Sequence, residues 1–236
     1  ADGANNDIKF QSNGSEVASI DQAGLVTANA VGIGGTNDSG KKLHIEGNGT
    51  DVGITLKDTA GVQYEIKSDA NNFTIRNSSA SADRLTIDAT GAVTMPAQPA
   101  FYVNAASLSG NLSVGTDTTV VFNNERFDVN ADYNNSNYTF TAPVTGKYHF
   151  DVQVLFDDWD SSANYYYLQL ITSNRTHYEL RSGEANPGDP DYTYMQVHAL
   201  ADMDAGDTAY VNLNQNAGAS ETGYDSQSFW SGYLAC

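Results

Sequence analysis

Tyr148-His149-Phe150-Asp151-Val152-Gln153-Val154-Leu155-Phe156 decides the fold class of this chain. Tyr148, Phe150, Val152, Val154 and Phe156 occupy alternate positions, so the two-residue period of a strand sends all five to one face and His149, Asp151 and Gln153 to the other. A helix would scatter the same side chains around its axis. Working outward, residues 118–122, 138–141, 165–172, 194–199, 208–213 and 228–234 read as further strands, separated by clusters of Gly, Pro, Asn and Asp. No window has a helical period. Strands at this spacing favour an all-β sandwich or barrel over any α/β architecture.

The remainder of the chain is built differently. Of its 25 aromatic residues, positions 1–96 hold only Phe10, Tyr64 and Phe73, and the break falls near Pro96-Ala97-Gln98-Pro99. Charge divides there as well, with 7 basic and 12 acidic residues before the break and 4 and 17 after it. Residues 1–96 and 97–236 are therefore expected to be separate domains. In the first, Ile20-Asp21-x-x-Gly24-x-Val26-Thr27 recurs as Ile87-Asp88-x-x-Gly91-x-Val93-Thr94, with a looser copy at Leu56-Lys57-Asp58-x-x-Gly61-Val62. Asp and Gly three apart suit the first and last positions of a type I turn, so each copy reads as strand, turn, strand. The short alternating stretches 41–46 and 73–76 add to a series of hairpins with few large side chains. Ordering a residue costs about 1–2 kcal/mol of backbone entropy. A stretch so poor in aromatics is expected to bury its strands against other chains, as an intertwined β-stalk; a flexible linker and a small monomeric sandwich are the alternatives.

The 236 residues include 29 acidic and 11 basic ones, a net charge of −18. Phosphate backbones and anionic membranes are repelled by such a chain, so neither nucleic acid nor membrane insertion is expected. No apolar run approaches the roughly 18 residues that span a bilayer, and the start Ala1-Asp2-Gly3 has neither the basic nor the apolar part of a leader. The chain reads as soluble, and with no initiating Met it reads as a mature product or a piece of something longer. Cys236 permits no intrachain disulfide; it is a free thiol at the last strand or a link between chains.

At Phe140-Thr-Ala-Pro-Val-Thr-Gly-Lys-Tyr-His-Phe150 the sequence resembles the globular-head family of complement component 1q, which shares its jelly roll with tumour necrosis factor. Pro99-Ala100-Phe101, Leu200-Ala201-Asp202-Met203-Asp204-Ala205-Gly206-Asp207 and Phe229-Trp230-Ser231-Gly232-Tyr233-Leu234 resemble that family's opening strand, its Gly-Asp turn and its closing strand. The stretch 129–136 departs from it, since Asn130-Ala131-Asp132-Tyr133-Asn134-Asn135 stands where the family carries a glycine-containing loop. Val31-Gly32-Ile33-Gly34-Gly35, Lys42-Leu43-His44-Ile45 and Leu85-Thr86-Ile87-Asp88-Ala89-Thr90-Gly91 are similar to bacteriophage tail-fibre and related trimeric fibre sequences. Both resemblances imply a homotrimer: a β-stalk over 1–96 carrying a jelly-roll head over 97–236.

Candidate chemistry is sparse. Gly35-Thr-Asn-Asp-Ser-Gly40-Lys41-Lys42 imitates a phosphate loop, but Lys42 replaces the metal-binding hydroxyl and a strand follows where a helix is needed, so it reads as a turn. Asp157-Asp158-Trp159-Asp160 sets three carboxylates beside an indole at a strand end, candidate ligands for Ca²⁺ at Asp157, Asp158 and Asp160, or, with Trp159, a grip on a sugar; an acidic solvated loop is the alternative. In the loop 184–194, which carries two Pro and a Gly, Tyr192 and Tyr194 are candidate platforms for sugar rings, against the reading of a surface turn. Tyr165-Tyr166-Tyr167 cannot face one way in a strand; one side is assigned to the core and the other to assembly. His44, His149, His177 and His198 show no metal spacing and no nucleophile motif is present, so catalysis is not expected. The expected function is that of a virion tail-fibre or tail-tip protein facing the extracellular medium, joined upstream of Ala1 to other virion proteins, whose three heads bind a host-surface glycan or protein receptor. A purely structural or trimerising virion protein is the alternative.

Overall fold

The computed structural model of the chain describes residues 8–21, 24–27, 31–33, 43–45, 51–57, 59, 61–108 and 112–236, and before residue 51 the side chains of 10–15 and 45 only. It divides into two compact units, Ala1–Pro96 and Ala97–Cys236.

The first unit is a run of small sheets. Strands β1 (Ile8–Ser12), β2 (Ser15–Asp21) and β3 (Gly24–Thr27) form an antiparallel meander, and β4 (Val31–Ile33) pairs in parallel with β5 (Leu43–Ile45). A five-stranded antiparallel sheet follows: β6 (Asp51–Leu56), β7 (Tyr64–Asp69), β8 (Asn72–Asn77), β9 (Ala82–Ile87) and β10 (Val93–Thr94). The Asp-x-x-Gly repeats join β2 to β3 and β9 to β10, as the turn chemistry predicts. At the second, Asp88 Oδ1 accepts hydrogen bonds from the Thr90 hydroxyl and from the Thr90 and Ala92 amides, and Gly91 follows at φ +91°. Those bonds hold the Asp88 carboxyl below its ordinary pKa, the Thr90 hydroxyl contributing most. In the third copy β6 and β7 pair with Leu56 opposite Tyr64, while Asp58 lies outside the described residues, as do 34–42 with the phosphate-loop look-alike.

Register gives the five-stranded sheet two unlike faces. Ile54, Ile66, Ile75 and Leu85 stand in one cross-strand row, and Phe73, Ile87 and Val93 in another on the same side. On the opposite side Lys67 is buried between Asp51 and Asp69, each 3.2 Å from its ammonium. Burial works against that charge, but the two carboxylates more than offset it and raise the Lys67 pKa. Gly53 makes this possible, because a Cβ there would lie 2.5 Å from the Lys67 Cβ.

The second unit is a two-sheet sandwich. Its strands are β11 (Ala100–Asn104), β12 (Thr118–Thr119), β13 (Asn124–Val129), β14 (Tyr133–Asn134), β15 (Thr139–Thr141), β16 (Gly146–Asp157), β17 (Tyr165–Thr172), β18 (Thr176–Arg181), β19 (Tyr192–Met203), β20 (Thr208–Asn216), β21 (Gly223–Tyr224) and β22 (Phe229–Leu234). One sheet runs β13-β11-β22-β16-β19 with β21 on β16; the other runs β14-β15-β20-β17-β18 with β12 on β20. The alternation along β16 is seen directly: Tyr148, Phe150, Val152, Val154 and Phe156 are buried, and the residues between them are half-buried. They meet Tyr166, Leu168 and Leu170 of β17 and Val211 and Leu213 of β20 in a single core.

Aromatic rings fill its centre. Trp230 lies edge-on to Phe101 at 5.0 Å and to Tyr133 at 5.6 Å, and Phe101 stacks on Phe140 at 5.0 Å. The loop without glycine at 129–136 obtains left-handed backbone from Asn130 (φ 74°) and Ala131 (φ 60°), while the Asp128 carboxylate accepts the Asp132 and Tyr133 amides. Gly232 sits where β22 crosses those rings, and a Cβ there would fall 2.5 Å from Phe150 Cδ1 and 2.8 Å from Phe101 Cε1. Gly232→Ala is expected to lower stability by about 1–3 kcal/mol, the usual range for forcing a methyl into a packed core. The test is the urea midpoint at unchanged denaturant slope.

Candidate functional site

The structure separates the residues that the sequence grouped. Trp159 is fully buried: its indole N–H donates to the Gly183 carbonyl at 2.9 Å, and its ring centroid lies 3.8 Å from that of Tyr166. This corrects the expectation of a sugar platform at Trp159. The loop that carries Trp159 crosses from β16 in one sheet to β17 in the other, where a large apolar side chain closes the space between the sheets, and the 3-10 turn Gly183–Ala185 brings the carbonyl that satisfies the indole. Gly183 is needed there, since a Cβ would meet the Ala163 carbonyl oxygen.

Asp160 is 3% exposed and its carboxylate is already occupied. Oδ1 accepts the Ser162 amide and hydroxyl, and Oδ2 accepts the Ala219 amide and, at 3.5 Å, the Gln215 side-chain amide. The carboxylate thus ties the 158–164 loop to the loop after β20. Ca²⁺ wants six to eight oxygens. Among the described residues no group of three or more acidic, His or Cys side chains is placed to hold a metal, so the expected set Asp157, Asp158 and Asp160 does not fit Ca²⁺. Asp157 instead stands near Asp158, Asp191 and Asp225; burial first, and then these three charges, raise its pKa. Tyr192 and Tyr194 are exposed on the outward side of β19; Asp157 pairs with Tyr192 and the Trp159 amide donates to the Pro190 carbonyl, so the two stretches are neighbours while the Trp159 ring is buried.

Sequence reading missed the character of that outward side. Register sets Tyr102 of β11 against Phe127 of β13, and its ring stacks on Phe229 at 5.5 Å. Tyr233 lies against His149 at 5.3 Å, and Leu200, Tyr194 and Tyr192 continue the apolar surface along β19. In its middle Asp151 stands between two histidines, 2.6 Å from His198 Nδ1 and 3.4 Å from His149 Nδ1, and Gln196 donates to Gln153. Scattered positions in sequence became one cluster through the β16–β19 register, which no local pattern reports.

The clefts of the sandwich include an open one of about 310 Å³ lined by Ser161, Ser162, Ala163, Asn164, Ser182 and Glu184. The one between β18 and β19 measures about 230 Å³ and is lined by Thr172, Arg175, His177, Leu200 and Asp202. Burial, and then the nearby Arg175 charge, lower the His177 pKa. A volume of 230 Å³ falls below the usual range for small-molecule sites, and one of 310 Å³ stands at its lower limit.

The family model of the C1q domain matches residues 100–235. The chain belongs to the C1q domain family. Solved structures similar to it include the globular domain of zebrafish complement 1qA protein, 18% identical with a TM-score of 0.41, covering 59% of this chain and 98% of that one. Murine APRIL is another, 14% identical with a TM-score of 0.41, covering 58% and 98%. No curated protein matches the chain. Domains of the C1q family are typically trimeric and bind ligands through a fold without catalytic machinery.

Two measurements check the roles of Asp160 and Asp157 in the C1q domain. Asp160→Ala removes a buried carboxylate that accepts hydrogen bonds from both loops and is expected to cost about 2–3 kcal/mol in chemical denaturation. Asp157→Asn is expected to act in the opposite direction. A carboxyl whose folded pKa is raised binds more protons when folded, so it weakens the fold at neutral pH and stops doing so as the pH falls through that pKa. The variant should therefore melt higher than the parent at pH 7, and the difference should vanish at acid pH.

Proposed function

We propose that this chain is a homotrimeric fibre protein of a virion, a tail fibre or tail tip, whose three C1q heads attach it to a receptor on the host surface, a glycan in the first instance. The observation that carries the reading is the single-layer sheet of β6 to β10, whose apolar side leaves Ile54, Leu56, Tyr64, Phe73 and Val93 exposed. A single layer has no second face of its own to bury those side chains, and copies of the same chain around an axis supply one. The sheet precedes a domain of a trimeric family, and its Asp-x-x-Gly hairpins resemble fibre shafts. The apolar outward side of β11, β22, β16 and β19 gives the heads their own surface for association. Three heads on one shaft convert weak contacts into firm attachment, which suits an acidic head with shallow clefts.

Light scattering after size exclusion should give about three times the 25.2 kDa of one chain, with or without EDTA. Ile54→Glu, which sets a like charge in each copy of the shaft face, should shift the mass toward the monomer. Attachment is tested on susceptible cells with the labelled intact protein and with residues 1–96 alone. Equal binding of the two would sink the receptor part and leave a structural virion protein.

A further inference from the structure

The second sheet carries a face that assembly does not explain. In β17 the core takes Tyr166, Leu168 and Leu170, and Tyr165, Tyr167, Gln169 and Ile171 point outward. β20 adds Tyr210, Asn212, Asn214 and Asn216 to the same side, in register with them. β18 is inverted relative to an ordinary edge strand. It turns Tyr178 and Leu180 out to solvent, 61% and 49% exposed, and its charged residues inward. There Glu179 accepts the Gln196 amide and Arg181, which is also bonded to Glu179, donates to the Tyr194 carbonyl, so the charges seal the seam to β19. Sealing accounts for the charged side of β18. It leaves the exposed Tyr178 and Leu180 without a structural reason.

The rings on this face are close together. Tyr165 and Tyr167 stand edge to face at 5.0 Å, and Tyr167 and Tyr178 at 5.6 Å. Beside them run side-chain amides, with Asn164 bonded to Asn216 and Asn214 donating to Asp117 at the margin. No Asp, Glu, Lys, Arg or His occupies an outward position of β12, β14, β15, β17, β18 or β20, in a chain of net charge −18. The other sheet differs: its outward side carries His149, Asp151, His198 and Asp202 among larger apolar patches.

We infer that the outward face of β17, β18 and β20 is a binding platform for a neutral polysaccharide, with Tyr165, Tyr167 and Tyr178 stacking on sugar rings and Asn214 and Asn216 of β20 bonding their hydroxyls. Tyrosine offers a wide, stiff, amphipathic surface at little conformational cost, and amides both donate and accept, as a hydroxyl-rich ligand requires. Charge selects the class. A face with no ion at its strand positions and only Asp117 at its margin neither strongly attracts a cationic partner nor compensates an anionic one, which the acidic remainder of the head repels. The inference rests on the receptor reading and names its ligand and site.

The test is affinity electrophoresis of the full chain through native gels containing a neutral polysaccharide (dextran, mannan or a soluble β-glucan) or acidic alginate. Retardation by at least one neutral polymer and not by alginate is expected, weakened about tenfold or more in the double variant Tyr167→Ala/Tyr178→Ala. Tyr178→Phe keeps the ring and should retain binding. Tyr178→Ala alone, at an exposed position, replaces the double variant if that one melts early. No retardation by any neutral polymer, stronger retardation by alginate, or retardation that survives loss of the rings overturns the inference. Cell binding separates the two claims: attachment undiminished in the double variant removes this site and leaves the receptor reading, whereas an intact protein that binds no cell removes the receptor reading itself.

Discussion

β16 satisfies its backbone on both sides, bonded to β22 and β21 along one edge and to β19 along the other. A central strand of twelve residues has no edge left to expose, so its side chains alone decide which way the sheet faces. Five large residues in alternate positions fix that choice, because a slip of one residue would put all of them in water. The neighbours inherit the decision through register. Phe101 and Trp230 must lie inward because β11 and β22 are locked to β16, and the second sheet closes over the same rings. The outward residues of both sheets are a by-product of that choice, which is how two unlike surfaces arise on one small head.

Much of this is legible without coordinates. The strands 165–172 and 228–234 are marked by alternation, and so is the buried Tyr166 between two outward tyrosines. β18 is not: Thr176-His177-Tyr178-Glu179-Leu180-Arg181 alternates correctly, yet with its charged side inward, and hydropathy alone assigns such a strand to the wrong face or to none. Trp159 and Asp160 mislead for a related reason. An indole among carboxylates looks like a solvated ligand site, whereas its burial depends on Gly183 and on the loop after β20, segments remote in sequence. The His149, Asp151 and His198 cluster depends on a pairing 47 residues apart. Local chemistry was readable, and what escaped was the chemistry that register creates.

The two units solve the same problem unequally. In the head, each sheet covers the inner face of the other and the inward apolar residues form one core. In the five-stranded sheet of the first unit, the side with Lys67 is organised by ion pairs and the other side has only its own aliphatic rows. That asymmetry is the feature of the first unit on which the proposed association rests, and domains of the C1q family, to which the second unit belongs, are typically trimeric.

The position of β22 also sets a timetable. It lies between β11 and β16, with Ala100 opposite Tyr233, so the β13–β11 pair cannot be joined to β16 until residues 229–234 have left the ribosome. Closure across so long a stretch of chain is slow. During synthesis the five-stranded sheet is complete well before the head, with Ile54, Leu56, Tyr64, Phe73 and Val93 exposed. The yield of folded protein is then governed by the rate at which the head closes relative to the rate at which incomplete chains aggregate through such exposed apolar residues.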